Sequence, residues 1–382
     1  MESINYKDFL KKATMNAREN DVPIVGAFEL TPLCNLDCKM CYVHLIDPTV
    51  KSRMLSGARW INLIDQAISR GMIKAVLTGG EAMTHPDFRK IYMHLTEKGI
   101  TLQIKSNGIL LNKENIELFK KYPPFVIDVS LYGCDDDSYE AVTGHRVFEV
   151  VAKNLRAAIE AGLHICISIT PSKYMLPYLN RIMEFAKSLG ADDVVVNSAL
   201  FESKPETGRK KEEFGLSVEE SMDVFQKRQD VLNKNFENLD VQEDSLFDNV
   251  SKGESRLLPK GLYCNGGRTS FAINWDGSME PCLNFPRELI SVDLMSCDFE
   301  KGWRELNQFV KNYVVPDECQ NCFCNTTCHY CPALHSKYAI VHKCDESICE
   351  LWKRVYLKKH KENKNKVKAL IKIDKSIYSN IK

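Results

Sequence analysis

Cys34, Cys38 and Cys41 stand at C-x3-C-x2-C spacing in the run Cys34-Asn35-Leu36-Asp37-Cys38-Lys39-Met40-Cys41. Three thiolates on so short a loop can converge on one metal centre. A fourth would close a four-iron cluster; three leave one iron without a protein ligand, where another molecule can bind. A structural zinc site with a fourth ligand from elsewhere is the competing reading. The spacing speaks against it, because zinc ligands usually come as pairs of C-x2-C. The triplet follows an apolar run, Ile24-Val25-Gly26-Ala27-Phe28-Glu29-Leu30, which is the expected strand that presents it.

The chain has 382 residues, enough for two or three domains and a sizeable core. It is 44% hydrophobic with a formal net charge of zero, the composition of a globular protein. No apolar run approaches the length of a membrane span and no signal peptide is visible, so a cytoplasmic location is expected, with no membrane partner. In that reducing compartment fifteen cysteines read as metal ligands before disulfides. Beyond the triplet, Cys134 and Cys166 stand alone, and the remaining ten lie between Cys264 and Cys349.

Strand and helix patterns alternate after residue 24. Strands are expected at 24–30, 73–78, 100–105, 125–131, 164–169 and 194–198, with helices at 56–70, 86–98, 112–121, 148–161 and 175–189. Gly71, Gly99, Gly162 and Gly190 follow helices where a left-handed cap is expected. Six such units argue for a parallel sheet curved into a partial (β/α)6 barrel; a doubly wound open sheet is the alternative. In a barrel, chemistry collects at the C-terminal edge of the strands. Gly79-Gly80-Glu81, Ser106-Asn107, Ser130, Thr170 and Asn197 all fall at that edge.

The triplet, with Gly79-Gly80-Glu81 one strand and one helix beyond it, resembles the radical SAM superfamily. The resemblance implies that amino and carboxylate groups of S-adenosylmethionine chelate the open iron. Reductive cleavage would then yield methionine and a 5′-deoxyadenosyl radical that abstracts a hydrogen atom. It further implies that Met40 lies near the adenine, that the Gly79-Gly80 backbone meets the methionine amino group, and that Glu81 helps to receive it. Ser130 would contact the ribose or the carboxylate. Arg146 is the nearest guanidinium for that carboxylate, with a surface position as its alternative.

Further on, Cys264 precedes and Cys282 ends a predicted hairpin that turns at Asp276-Gly277. Then come Cys319-x2-Cys322-x5-Cys328-x2-Cys331, with Cys324 inside, and Cys344 and Cys349. This order resembles the SPASM domain, a cysteine-rich extension that carries auxiliary iron–sulfur clusters. The last spacing in the quartet is two residues where three is usual. The pattern implies one cluster on Cys319, Cys322, Cys328 and Cys349, and another on Cys264, Cys282 and Cys331, its fourth position open or filled by Cys324 or Cys344. The cofactors implied are S-adenosylmethionine and three [4Fe-4S] clusters. The expected division is a helical lead-in at 1–23, the barrel at 24–215, a helical linker at 216–262, the SPASM domain at 263–350 and a basic tail at 351–382.

SPASM relatives mostly modify peptides, so a ribosomally made peptide is the expected substrate, oxidised or cross-linked. Peptide epimerisation and radical oxidation of a small molecule are the alternatives, and an iron–sulfur protein without enzymatic activity is the reading from another class. Sulfatase maturation is disfavoured because Leu283 follows Cys282, where those relatives carry an aspartate base. Flavodoxin or ferredoxin is the expected electron donor. With 33 residues ahead of Cys34, leader recognition is expected from a separate protein or from the tail, which carries eleven Lys and Arg against two carboxylates. No nucleic-acid fold accompanies that charge, so no nucleic-acid partner is expected.

Overall fold

The structure is a computed structural model and describes residues 6–45, 47–197, 200–235, 261–320, 322, 324, 328 and 330–359. Residues 236–260 of the expected linker at 216–262, and the basic tail beyond 359, lie outside the described residues. The chain divides into two compact units, Met1–Leu216 with Asn265–Lys311, and Ser217–Cys264 with Asn312–Lys382.

The first unit runs α1 (Tyr6–Asn20), β1 (Val25–Glu29), α2 (Gly57–Ser69), β2 (Lys74–Thr78), α3 (Phe88–Glu97), β3 (Thr101–Ser106), α4 (Lys113–Lys121), β4 (Val126–Ser130), α5 (Asp136–Thr143), α6 (Phe148–Glu160), β5 (Ile165–Ile169), α7 (Leu179–Ser188) and β6 (Asp193–Val196). All six expected strands form. They are parallel and lie in sequential order, β6-β5-β4-β3-β2-β1. A doubly wound sheet would reverse direction at a switch point. Uninterrupted order with right-handed crossovers instead puts the helices on one face, as in an open, partial barrel. The four glycines expected to cap helices all have positive φ.

Side chains alternate across each strand. Leu77, Ile104, Ile127, Val129, Ile165 and Ile167 form the apolar face and are wholly buried. The opposite face carries Glu29, Thr78, Lys105, Asp128 and Ser168. Glu29 stands opposite Thr78, and Lys105 opposite Asp128. Asp128 is buried and accepts from Lys105 Nζ at 2.7 Å and from Ser168 Oγ at 2.6 Å. An apolar outer face and a polar inner face are what a barrel with a reaction chamber requires.

The hairpin forms as β7 (Ser270–Ile273) and β8 (Ser278–Glu280), and β9 (Val292–Asp293) follows it. It does not stand apart from the barrel. Strand β7 pairs in parallel with β1, from Val25 opposite Ser270 to Phe28 opposite Ile273, so one sheet of nine strands results. Aromatic rings hold the join: Phe271 lies 5.9 Å from Phe28, 4.9 Å from Phe299 and 6.3 Å from Trp303, each edge-on. Gly26 makes room for it, since a Cβ there would lie 2.6 Å from Phe271 Cζ.

In the second unit the helices Val218–Asn235 and Glu346–Lys359 are joined by Arg354 Nη1 and Glu219 Oε1 at 2.9 Å. No helix among the described residues is long and apolar enough to cross a membrane. Phe271 is 1% exposed, so Phe271→Ala should destabilise the first unit by about 3–5 kcal/mol in urea unfolding. A loss below 1 kcal/mol would show that the hairpin is not held by this aromatic chain.

Candidate iron–sulfur and S-adenosylmethionine site

The loop after β1 is pinned from two sides. From β2, Gly80 N donates to Thr31 O at 2.7 Å and Glu81 N to Leu33 O at 3.0 Å. This approach requires the two glycines. A Cβ on Gly79 would lie 2.4 Å from Thr31 O, and one on Gly80 2.4 Å from Leu33 O; Gly79 also has φ of +151°. From α5, Thr143 O accepts from Asp37 N at 3.2 Å and Val142 O from Lys39 N at 3.0 Å. Helix α5 was not expected from the sequence. Its capping box, in which Asp135 and Ser138 bond each other's backbone, is the local signal that marks its start.

The loop gathers Cys34, Cys38 and Cys41 and aims donors at two of their sulfurs. Leu36 N reaches Cys34 Sγ at 3.4 Å, Asn107 Nδ2 reaches it at 3.5 Å, and His44 N reaches Cys41 Sγ at 3.2 Å. Burial pushes the Cys34 thiol up to about 12, and it pushes Cys38 and Cys41 up as well. The three thiols also raise one another, so they share one local field. As bare thiols they would keep their protons; cationic metal displaces such protons and takes the thiolates. Among the described residues no three His, Cys, Asp or Glu side chains are set to hold a single ion. Amide donors aimed at a sulfur triplet fit a cluster that gives each thiolate its own iron.

Behind the loop, Glu81 is 1% exposed and joins two strand ends. It accepts from Ser106 Oγ at 3.1 and 3.2 Å, Asn107 N at 2.8 Å and Met83 N at 3.3 Å. Asn107 in turn holds Asn35 Oδ1 at 2.7 Å. Met40 is buried, and Ser130 bonds the Tyr132 hydroxyl, which also reaches Cys38. Asn197 bonds Thr170 Oγ1 at 2.8 Å. Arg146 is not brought to the thiols: it lies on the surface, paired with Asp137 at 2.7 Å and Glu140 at 2.8 Å.

Glu29 escaped the sequence reading, and several other groups lie near the loop. Glu29 is fully buried and pairs with Lys204 Nζ at 2.9 Å; Lys204 also donates to Asn274 Oδ1 at 2.9 Å. Glu280 is 1% exposed and bonds Asn274, Ser291 at 2.8 Å and Arg287 at 3.1 Å. Beside them a cleft is lined by Val43, Leu45, Trp275 and Arg287, among others. Arg209 also approaches the loop, bonding Asp37 and His44 O. The one sequence signal for Glu29 was a carboxylate inside an apolar run.

The other cysteines fall in both units. Cys282 follows β8 in the first unit, and its charge reaches the half-buried Tyr42 beside Cys41. In the second unit Cys264 lies beside Cys331. A larger group there joins Cys319, Cys322, Cys324, Cys328, Cys344 and Cys349. Cys322 and Cys324 are 3.2 Å apart, Cys344 feels both Cys319 and Cys349, and Cys328 feels Cys322, Cys344 and Cys349. Both spare cysteines, Cys324 and Cys344, therefore stand among the implied ligands.

The Radical SAM superfamily model matches residues 28–180. This chain carries a radical SAM domain. The domain spans β1 to the start of α7, with the thiol triplet and Gly79-Gly80-Glu81 inside it. Over 324 residues the chain is 22% identical to the antilisterial bacteriocin subtilosin biosynthesis protein AlbA of Bacillus subtilis, covering 80% of this chain and 67% of AlbA. It is 25% identical to the PqqA peptide cyclase of Streptomyces rochei over 45% of this chain, and spans about half the length of that enzyme. The crystal structure of Streptococcus suis SuiB bound to S-adenosylmethionine superposes with a TM-score of 0.68 at 17% identity, over 91% of this chain and 84% of SuiB. That likeness establishes a shared fold, and radical SAM enzymes bind S-adenosylmethionine and a [4Fe-4S] cluster.

Burial raises the Glu81 carboxyl from its ordinary 4.5 to about 7. The folded chain therefore keeps this proton where the unfolded chain releases it. Its stabilising share is whole below pH 4.5 and is lost as pH rises to about 7. Glu81→Gln, with no proton to lose, should flatten the fall in urea-unfolding stability across that window. An unchanged slope would place the proton elsewhere.

Proposed function

We propose that this radical SAM protein is a peptide maturase of the SPASM type. It would take a ribosomally made peptide and form an oxidative cross-link or a similar modification. The observation that carries this reading is the AlbA match: it extends well past the superfamily domain to 80% of the chain, and AlbA is a bacteriocin biosynthesis protein. The thiol-rich second unit supports an auxiliary cluster on Cys319, Cys322, Cys328 and Cys349, with Cys324 and Cys344 as further candidate ligands, and Cys264 beside Cys331 is in keeping with a second. Flavodoxin or ferredoxin would be the electron donor, and a separate protein would bind the leader.

When bound on Cys34, Cys38 and Cys41, the cluster and S-adenosylmethionine supply a 5′-deoxyadenosyl radical. The chain's own residues do the rest. Glu81, Ser106 and Asn107 lock the ends of β2 and β3 to the ligand loop, while Gly79 and Gly80 let the backbone close on it. Met40, Ser130 and Asn197 stand at the same rim as cofactor-binding candidates, and Arg146 would have to leave its surface pairs to join them. The inner face of Glu29, Lys105, Asp128 and Ser168 offers the substrate a polar chamber.

Glu280 does not fill the place of the missing maturase base. Its oxygens are taken by Asn274, Ser291 and Arg287, which supports setting sulfatase maturation aside. A peptide epimerase is the second reading. Cys166 stands opposite Asp128 on the inner face and offers a thiol hydrogen there.

Two experiments follow. Anaerobic reconstitution should load about twelve irons per chain, and changing Cys34, Cys38 and Cys41 to Ala should remove about four. The same change should abolish 5′-deoxyadenosine formation under dithionite; continued formation would overturn the assignment. With a candidate precursor peptide, a cross-link removes the mass of two hydrogen atoms. Epimerisation leaves the mass unchanged in water and adds one deuterium in heavy water. An unmodified peptide beside steady 5′-deoxyadenosine release would count against both readings.

A further inference from the structure

Residues 203–209 form a strap across the ligand loop. Ser203 Oγ donates to Cys41 O at 3.0 Å, and Lys204 N donates to Tyr42 O at 3.1 Å. A single helical turn, Pro205–Thr207, then closes on Gly208 with φ of +69°. The left-handed glycine reverses the chain, so that Arg209 points back at the loop, its amide held by Thr207 Oγ1 at 3.2 Å. Arg209 Nη2 pairs with Asp37, the residue before Cys38. Arg209 Nη1 donates to His44 O at 3.2 Å, and the amide of that same His44 donates to Cys41 Sγ at 3.2 Å. One guanidinium thus bridges the two ends of the Cys38–Cys41 segment.

Its side chain is 13% exposed whereas that of Asp37 is 50% exposed. Water therefore screens the carboxylate more than the cation, and a positive field remains on the sulfur side. The same field acts on any charge the sulfurs carry. A cluster on these thiolates gains one negative charge when reduced, and a nearby cation favours the more negative state.

We propose that Arg209 is a positioning residue that clamps both ends of the ligand loop and sets the cluster's reduction potential upward with its charge. The inference rests on the cluster assignment to Cys34, Cys38 and Cys41. It places a determinant of electron acceptance outside the domain's sequence match, on a loop that no motif marks.

The test is an EPR-monitored redox titration of the reconstituted full chain. The signal that changes when S-adenosylmethionine is added identifies the cluster concerned. Arg209→Gln should lower the reduced-to-oxidised ratio at fixed potential about tenfold, a downward shift of about 59 mV for one electron. Arg209→Lys, which keeps the charge, should restore most of it. Asp37→Asn, which frees the cation from its counter-charge, should shift the midpoint the other way. An Arg209→Gln midpoint equal to wild type at full iron content overturns the proposal, as does an Arg209→Lys midpoint as low as that of Arg209→Gln. Should Arg209→Gln lose iron, Asp37→Asn decides, and an unmoved midpoint there overturns it. A wild-type chain with no S-adenosylmethionine-responsive signal would strike down the cluster assignment itself, and this inference with it.

Discussion

The structure depends on one approach of backbone to backbone. The end of β2 comes so near the cysteine loop that a single methyl group on Gly79 or Gly80 would strike a carbonyl oxygen at 2.4 Å. Because nothing intervenes, Gly80 N and Glu81 N can bond Thr31 O and Leu33 O directly. The loop thereby inherits the rigidity of the sheet. Three thiols held on a floating loop would cost the entropy of ordering it at each metal encounter; here that ordering is done by the fold.

Buried carboxylates do the remaining fastening. An ionised carboxylate out of water is costly unless it is met by donors, and each one here is met by at least one. Glu81 collects two strand ends, Glu29 holds Lys204, and Glu280 holds Asn274 and Arg287. Glu81 and Glu29 join segments far apart in sequence, whereas Glu280 braces the hairpin and the turn that follows it. Burial raises Glu29, and raises Glu280 to about 7, so these joints also hold protons more tightly than free carboxylates do.

Features carried by local pattern were legible before any coordinates. The thiol triplet, the six strands, the capping glycines and the Asp276-Gly277 turn each lie within a few residues, where period and turn chemistry leave a mark. What stayed hidden was made by contacts across the chain. Nothing about Ser270–Ile273 announces that it pairs with Val25–Phe28, and nothing in the charged loop around Arg209 announces its bond to His44 O. Of the two places the sequence left open for Arg146, a cofactor carboxylate or the surface, the second is the one in which Asp137 and Glu140 satisfy it. Helix α5 was missed because its box is made with serine, and Ser138 gives a weaker sequence signal than glutamate at that position.

The pairing of β1 with β7 also has a consequence in time. A ribosome adds roughly 5–20 residues each second, so strand β7 follows β1 by roughly 12–50 s. Throughout that interval one edge of β1 has no partner, and an unpaired edge invites other chains. The strand leading to the thiol triplet is thus among the first made and the last completed on both sides. Assembly of the metal centre belongs after synthesis, when the late hairpin has closed the sheet.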